Sequence, residues 1–416
     1  MIPLGWHQWK LGELLEIKHG FAFKSTHFND VGIGYKLLTP AHFREEGGFR
    51  ALEEKQKYYD GLVPNSYLLS KGALLIAMTE QAPGLLGSPV IVPESGVYLH
   101  NQRLGLIIIQ SPLQVSYQYL FHILNMPDVR KQISTASGGT KVKHTSPQKI
   151  KTVIWPFPPL VEQGNIVKTL NQWDAAIDFA ERLIDEKRLR RKGLMQQLPT
   201  GKRRLPGFEK SKEVRRTRWG NYPADWGYPR IGEIAKHVST KNQGGASLPV
   251  LSCTKHRGLV DSMEYFGKQV FSKDLSTYKV VQRGQFAYAT NHIEEGSIGY
   301  QNLHDAAVIS PMYTVFEAGK KIDDRFLFLL LKTELYRHIF EVNTSASVDR
   351  RGSLRWPEFS RLHVPLPTLD EQREIVKVIS VADREIELLQ AKADVLRQQK
   401  KGLMQQLLTG KKRVKV

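Results

Sequence analysis

Lys192-Gly193-Leu194-Met195-Gln196-Gln197-Leu198-Pro199-Thr200-Gly201-Lys202-Arg203 returns as Lys401-Gly402-Leu403-Met404-Gln405-Gln406-Leu407-Leu408-Thr409-Gly410-Lys411-Lys412. At this offset of 209, residues 156 to 205 and 365 to 414 align without a gap and share 23 of 50 positions. A period of about 200 residues is too long for a solenoid repeat, so it describes two whole domains, each closed by the same element.

The apolar spacing makes that element a long helix. Ile166, Leu170, Trp173, Ile177, Ala180, Ile184, Leu194 and Leu198 advance in steps of four and three, and Ile375, Ile379, Ala382, Ile386, Leu389, Ala393, Leu396, Leu403 and Leu407 answer them. This is a heptad seam. Thr368 with Glu371 spells a capping box, and both copies end in Thr-Gly, where glycine can take the left-handed conformation. Each helix is expected to run for about 40 residues, or roughly 60 Å. One apolar stripe cannot bury itself, so the two copies are expected to pair as an antiparallel coiled coil; the other reading is that each stripe covers its own domain. Pro199 is expected to end the first helix about a turn before the second. Gly193 and Gly402 suggest close approach by a neighbour, although descent from one duplicated ancestor explains them equally well.

The segments ahead of the helices are duplicated more loosely. Trp9-Lys10-Leu11-Gly12-Glu13-Leu14 mirrors Pro229-Arg230-Ile231-Gly232-Glu233-Ile234, and Trp6 answers Trp226. Lys71 to Met78 mirrors Arg283 to Thr290, and Tyr119 to Leu124 mirrors Phe326 to Leu331. Short apolar runs bounded by Gly, Pro and Asn read as strands and the last pair as a helix. The fold class is therefore α+β: two similar mixed α/β globules separated by two long helices, with a pseudo-two-fold internal repeat. The expected segments are 1–155 (first globule), 156–205 (first helix), 206–222 (basic linker), 223–364 (second globule) and 365–416 (second helix).

With 60 basic and 41 acidic residues the net charge is +19, which points to a polyanionic partner, nucleic acid first. No apolar run approaches the roughly 18 residues of a spanning helix, and Met1 to Trp6 lacks the features of a signal peptide, so no membrane is expected and the cytoplasm is the default location. The single cysteine, Cys253, excludes an internal disulfide and a Cys-based zinc site. The 13 histidines are dispersed, so no metal site is expected. Residues 187 to 218 carry 13 basic side chains against Glu209 and Glu213; Lys210 to Arg218 reads as a solvated linker.

Two variable globules, each followed by a proline-rich step, Glu-Gln and a long helix ending in Lys-Gly-Leu-Met-Gln-Gln-Leu-x-Thr-Gly-Lys, resemble the specificity subunit of type I restriction-modification systems. The stretches that carry it are Pro156-Phe157-Pro158-Pro159-Leu160-Val161-Glu162-Gln163, Pro365-Leu366-Pro367-Thr368-Leu369-Asp370-Glu371-Gln372 and Trp219-Gly220-Asn221-Tyr222-Pro223-Ala224-Asp225-Trp226. The resemblance implies that the globules are target-recognition domains for an interrupted, asymmetric site in double-stranded DNA. It implies that the seam residues serve helix pairing and docking of two methyltransferase subunits, and that endonuclease/translocase subunits join them. S-adenosylmethionine, ATP and magnesium would then sit on those partners, with no cofactor on this chain. No Asn-Pro-Pro or Asp-Pro-Pro motif, phosphate loop or His-Glu-x-x-His occurs, which agrees with a non-catalytic chain. A stand-alone DNA-binding protein and a fragment of a self-contained restriction or modification enzyme remain open.

Base readout needs Arg or Lys for guanine and Asn or Gln for adenine. The candidates in the first globule are Gln81, Asn101, Gln102, Arg103, Lys141, Lys143 and His144. In the second they are Lys241, Asn242, Gln243, Lys255, His256, Arg257, Asn291, His292, Arg350 and Arg351. Asn101 to Arg103 suits a scaffold role as well as base contact, and Lys141, Lys143, Arg350 and Arg351 suit phosphates.

Overall fold

A computed structural model of the chain describes residues 2–80, 84–139, 142–209, 212–243, 246–344 and 353–414. It holds two compact units, residues 1–180 with 392–416, and residues 181–391. Each unit contains one globule and a portion of both long helices, Leu160–Gln197 and Leu369–Leu407. The units thus cut across the segments drawn from the sequence, because an amphipathic helix is buried by what lies beside it and not by its own length.

In the first unit, strands Leu15–His19, Leu104–Ile109, Leu74–Ala77 and Pro89–Ile91 form an antiparallel sheet in that order. A second sheet joins Phe28–Asn29, Tyr58–Tyr59, Tyr35–Leu38 and Tyr98–His100, the last two in parallel. The second unit repeats the plan: Ala235–Val238, Tyr313–Ala318, Gln285–Ala289 and Ile298–Tyr300 form the antiparallel sheet. Its second sheet contains the parallel pair Val250–Thr254 and Ala306–Ile309. The mirrored apolar runs become helices Tyr117–Leu124 and Asp324–Leu331, N-capped by Ser116 and Asp323.

Both readings of the apolar stripe hold in part, and neither foresaw that the far end of each helix enters the core of the other globule. Ile166, Leu170, Met404 and Leu407 enter the core of the first globule with Trp6, Tyr119 and Trp155. Leu198, Ile375 and Ile379 enter that of the second with Phe286, Phe326 and Phe340. Within each unit the portions of the two helices run antiparallel. In the first unit Asp174 pairs with Lys400; in the second Lys187 pairs with Glu385 at 2.5 Å and Arg191 with Asp383 at 2.8 Å. Ile177 and Ile184 are buried, whereas Leu194, Ile386, Leu389 and Leu403 are half-buried.

Three local expectations are corrected. The first helix ends at Gln197, one residue and not one turn before the position equivalent to Leu407. Pro199 stands where Leu408 donates its N–H to Met404 O, so proline deletes that single bond while the rest of the ending is kept. In both copies the threonine hydroxyl donates to a carbonyl four residues back, and Gly201 and Gly410 take φ of 72° and 71°. A Cβ added at Gly193 or Gly402 would meet nothing within 4 Å, so no neighbour demands these glycines. The supposed linker folds from Val214 as a hairpin, Val214–Thr217 with Gly220–Pro223, where Arg215 lies over Tyr222 and Arg218 over Trp219. No helix among the described residues is long and apolar enough to cross a membrane.

Half of the Thr368 capping box forms. Glu371 N–H donates to Thr368 Oγ1 at 3.4 Å, but the Glu371 carboxylate turns elsewhere. It accepts the Trp226 indole N–H at 3.1 Å and two bonds from Arg204, at 2.6 and 2.9 Å. Glu162 repeats this, accepting from Trp6 at 3.1 Å and from Arg413 at 2.6 and 2.7 Å. The neighbouring glutamines are duplicated devices too: Gln163 accepts from Ser116 N–H and Gln372 from Asp323 N–H, tying each long helix to a helix cap of its own globule.

Candidate nucleic-acid interface

In the first unit, the strand that ends at Ala77 continues as Met78-Thr79-Glu80 and gathers two other segments. Met78 N–H donates to Arg103 O at 3.0 Å, Thr145 N–H to Met78 O at 2.9 Å, and Glu80 N–H to Lys143 O at 2.9 Å. The turn at 101–103 is built from inside. Asn101 is buried, its Oδ1 accepts Arg103 N–H at 3.0 Å, and its carbonyl accepts Leu104 N–H. A Cβ on Gly20 would lie 2.0 Å from Asn101 O, so this approach requires glycine. Asn101 is therefore scaffold, and the turn presents Gln102 and Arg103 to solvent. Lys143 and His144 are exposed beside them, but Lys143 Nζ donates to Ser134 Oγ, and His144 Nδ1 lies 3.3 Å from Thr79 Oγ1. Gln81 and Lys141 lie outside the described residues.

The second unit brings the corresponding segments together and repeats two of these bonds. Tyr313 N–H donates to Ser310 O as Leu104 does to Asn101, and Leu354 N–H donates to Thr290 O as Thr145 does to Met78. The Thr290 hydroxyl lies 2.8 Å from Asn291 Oδ1 and 3.4 Å from Met312 O. The exposed tip is Pro311-Met312, with Met312 at 65% exposure. Sequence reading missed this turn, although the helix offset of 209 carries Asn101 onto Ser310.

The other candidates fall around this platform unevenly. Asn242 is buried and donates to Ala246 O, a structural role. Lys241 bridges to Lys279, whose Nζ donates to Tyr313 O at 2.6 Å next to Met312. Burial, and then the charge of Lys241, hold the Lys279 pKa below the usual lysine range, so an anion placed here relieves an existing repulsion. Gln243 is exposed one residue further on. Lys255, His256 and Arg257 form the exposed turn of a hairpin. Lys332 Nζ donates to Lys255 O and to Gly296 O, which sets that turn beside Asn291 to Glu295, and Arg257 lies over Tyr265. His292 is exposed and 3.4 Å from Glu295; with the half-buried Glu294 they are the one grouping of three potential metal ligands among the described residues. Arg350 and Arg351 lie outside the described residues.

The family model for the type I restriction modification DNA specificity domain matches residues 3–186 and 223–398. The chain belongs to this family. As a specificity subunit it is similar to that of the type I restriction enzyme MjaVIII from Methanocaldococcus jannaschii, 25% identical over 311 residues covering 71% of this chain and 70% of the relative. The EcoBI specificity subunit of Escherichia coli is 24% identical over 426 residues, covering 95% and 81%. Among solved structures, the HsdS subunit from Thermoanaerobacter tengcongensis superposes with a TM-score of 0.51 at 16% identity over 98% of both chains. A chain from a structural study of type I restriction-modification assembly and conformational transition reaches 0.58, also at 16% identity and 98% of both. The two repeats of this specificity subunit thus coincide with two copies of one DNA-specificity domain.

Membership also redirects attention on the helices. Ile166, Leu170, Ile177, Ile184, Leu198, Ile375, Ile379 and Leu407 are buried within the chain and offer no free surface to a partner. The large apolar side chains left outward on the helices are Val161 at 63%, Phe179 at 62%, Leu189 at 72%, Val381 at 62%, Leu388 at 55% and Val395 at 50%.

Proposed function

We propose that this specificity subunit reads a bipartite, asymmetric target in double-stranded DNA, one half-site per unit, and recruits the subunits that act on it. One observation carries the reading. Corresponding segments, tied by two equivalent main-chain hydrogen bonds, stand in both units with unlike side chains at the tip, polar and basic in one and apolar in the other. Two such readers on one chain call for two unlike half-sites, whereas a repressor-type dimer calls for a palindrome. Methyltransferase subunits dock on the outward apolar faces of the long helices and bring S-adenosylmethionine. Endonuclease/translocase subunits bring ATP and magnesium, and this chain contributes address without catalysis. The net charge of +19 supplies the sequence-independent part of binding, which steepens with salt by about 0.9 logarithmic units per phosphate neutralised.

The test is an exchange of residues 1–155 for those of another family member, keeping tryptophan at position 6 so that Glu162 retains its partner. Sequencing of methylated adenines in cells carrying the chain and its modification subunit is expected to show one half of the target rewritten and the other unchanged. A change in both halves, or a palindromic target, overturns the reading.

A further inference from the structure

The tips of the two platforms differ in chemistry, and the differences fall at side chains with no other task. Asn101 holds the first turn, Lys143 is tied to Ser134, and His144 sits against Thr79. Among the described residues the side chains of Gln102 and Arg103 make no hydrogen bond, and both are exposed. Their main chains are fixed, since Gln102 N–H donates to Phe21 O and Arg103 O accepts from Met78 N–H. A pinned backbone with free tips is what readout needs, because a bidentate contact is selective only when its approach is set by the scaffold. At the equivalent place in the second unit the side chains of Pro311 and Met312 carry no polar hydrogen, so these two side chains offer no hydrogen-bond donor for readout. What a methionine offers a base edge in the major groove is an apolar contact, and the partner of that chemistry is the C5-methyl of thymine.

We infer that the turn at 101–103 and the turn at 310–312 are the specificity-determining elements of their units: Arg103 and Gln102 pair with guanine and adenine edges of the first half-site, and Met312 packs on a thymine methyl of the second. This rests on the bipartite reading above. The flanking lysines take phosphates and set the register, which is the usual division between positioning and reading contacts.

The experiment uses the full chain with its modification subunit, the methylated sites of genomic DNA being the readout. Arg103→Ala and Gln102→Ala are each expected to relax one position of the half-site assigned to the first unit by about tenfold, with the second half-site unchanged. Met312→Ala relaxes one thymine position of the other half-site by about fourfold, the factor carried by roughly one buried methyl group. Arg103→Lys separates reading from charge: it keeps the salt dependence of DNA binding but relaxes the same position as Arg103→Ala, because an ammonium lacks the planar fork. Unchanged melting temperatures show that the variants fold. Wild-type specificity in both Arg103→Ala and Met312→Ala, or relaxation of both half-sites by either, overturns the inference. A palindromic target for the unmodified chain instead removes the bipartite reading and this inference with it, so the two failures are told apart.

Discussion

Arg204→Ala is expected to destabilise the second unit by about 3–5 kcal/mol, the cost of leaving a buried charge without its partner. The Glu371 side chain is 2% exposed and that of Arg204 is 8% exposed. Without the guanidinium, the carboxylate keeps only the Trp226 indole N–H, while Asp225 and Phe208 O also lose their bonds to Arg204. Denaturant unfolding checks this, with two controls. Arg413→Ala removes the matching partner of Glu162, but Arg413 is 43% exposed and water takes over part of its role, so the first unit loses less. Arg204→Met with Glu371→Gln restores most of the stability, since the amide oxygen still accepts from the indole and no charge is buried. A loss below about 1 kcal/mol for Arg204→Ala contradicts the account.

The second large effect depends on pH and falls on the first unit. His100 is fully buried, with Nε2–H donating to Leu104 O at 2.9 Å, and burial pushes its pKa down to about 4. His122 is equally buried against Asn171 of the long helix; burial first, and then the nearby charge of Lys400, bring it to about 4, with Asp174 opposing. Both start from 6.5 in the unfolded chain. The native state therefore refuses a proton that the unfolded state accepts between these values. Stability is whole above about pH 6.5, falls as the pH drops toward 4, and then levels, by on the order of 3 kcal/mol for each histidine. Calorimetry across this window is expected to show one unfolding transition moving strongly with pH while the other moves little. His122→Gln removes part of the slope, the rest staying with His100 and with His42, whose pKa burial also lowers. Two transitions that shift in parallel, or a slope untouched by His122→Gln, contradict this account.

How much of this could be read in advance varied with the physics involved. The long helices, their antiparallel pairing and the duplicated strands were legible, because apolar periodicity and Thr-Gly endings are local signals that packing rarely overrides. The fate of the stripe was only partly legible: periodicity says that Ile166 and Ile375 must be covered, not whether a helix or a globule covers them. Glu371 was mistaken for a full capping-box residue because its real partners, Trp226 and Arg204, are distant in sequence. Yet Glu162 and Arg204 recur unchanged as Glu371 and Arg413 at the helix offset, and a repeated charge amid divergent neighbours was a readable hint of burial. At the candidate interface, side-chain type identified the polar turns but could not separate Asn101 and Asn242, which face inward, from Gln102 and Arg103, which face outward. The tip at Met312 was missed because a search by hydrogen-bonding capacity passes over an apolar reader.

The two Trp-Glu-Arg clusters differ in one respect that concerns the order in which the chain is made. In the second unit all three members fall between Arg204 and Glu371, so they leave the ribosome together with the whole of residues 181–391. In the first, Arg413 closes on Glu162 and on Leu4 O, the latter 409 residues upstream. Met404, Leu407 and Leu408, which roof the first core, arrive equally late. The portion synthesised first is thus finished last, the reverse of the usual order in which domains mature during translation. A nascent chain interrupted before residue 400 would carry a completed second reader and an unroofed first one. Such a chain would leave open the first core that Met404, Leu407 and Leu408 otherwise cover.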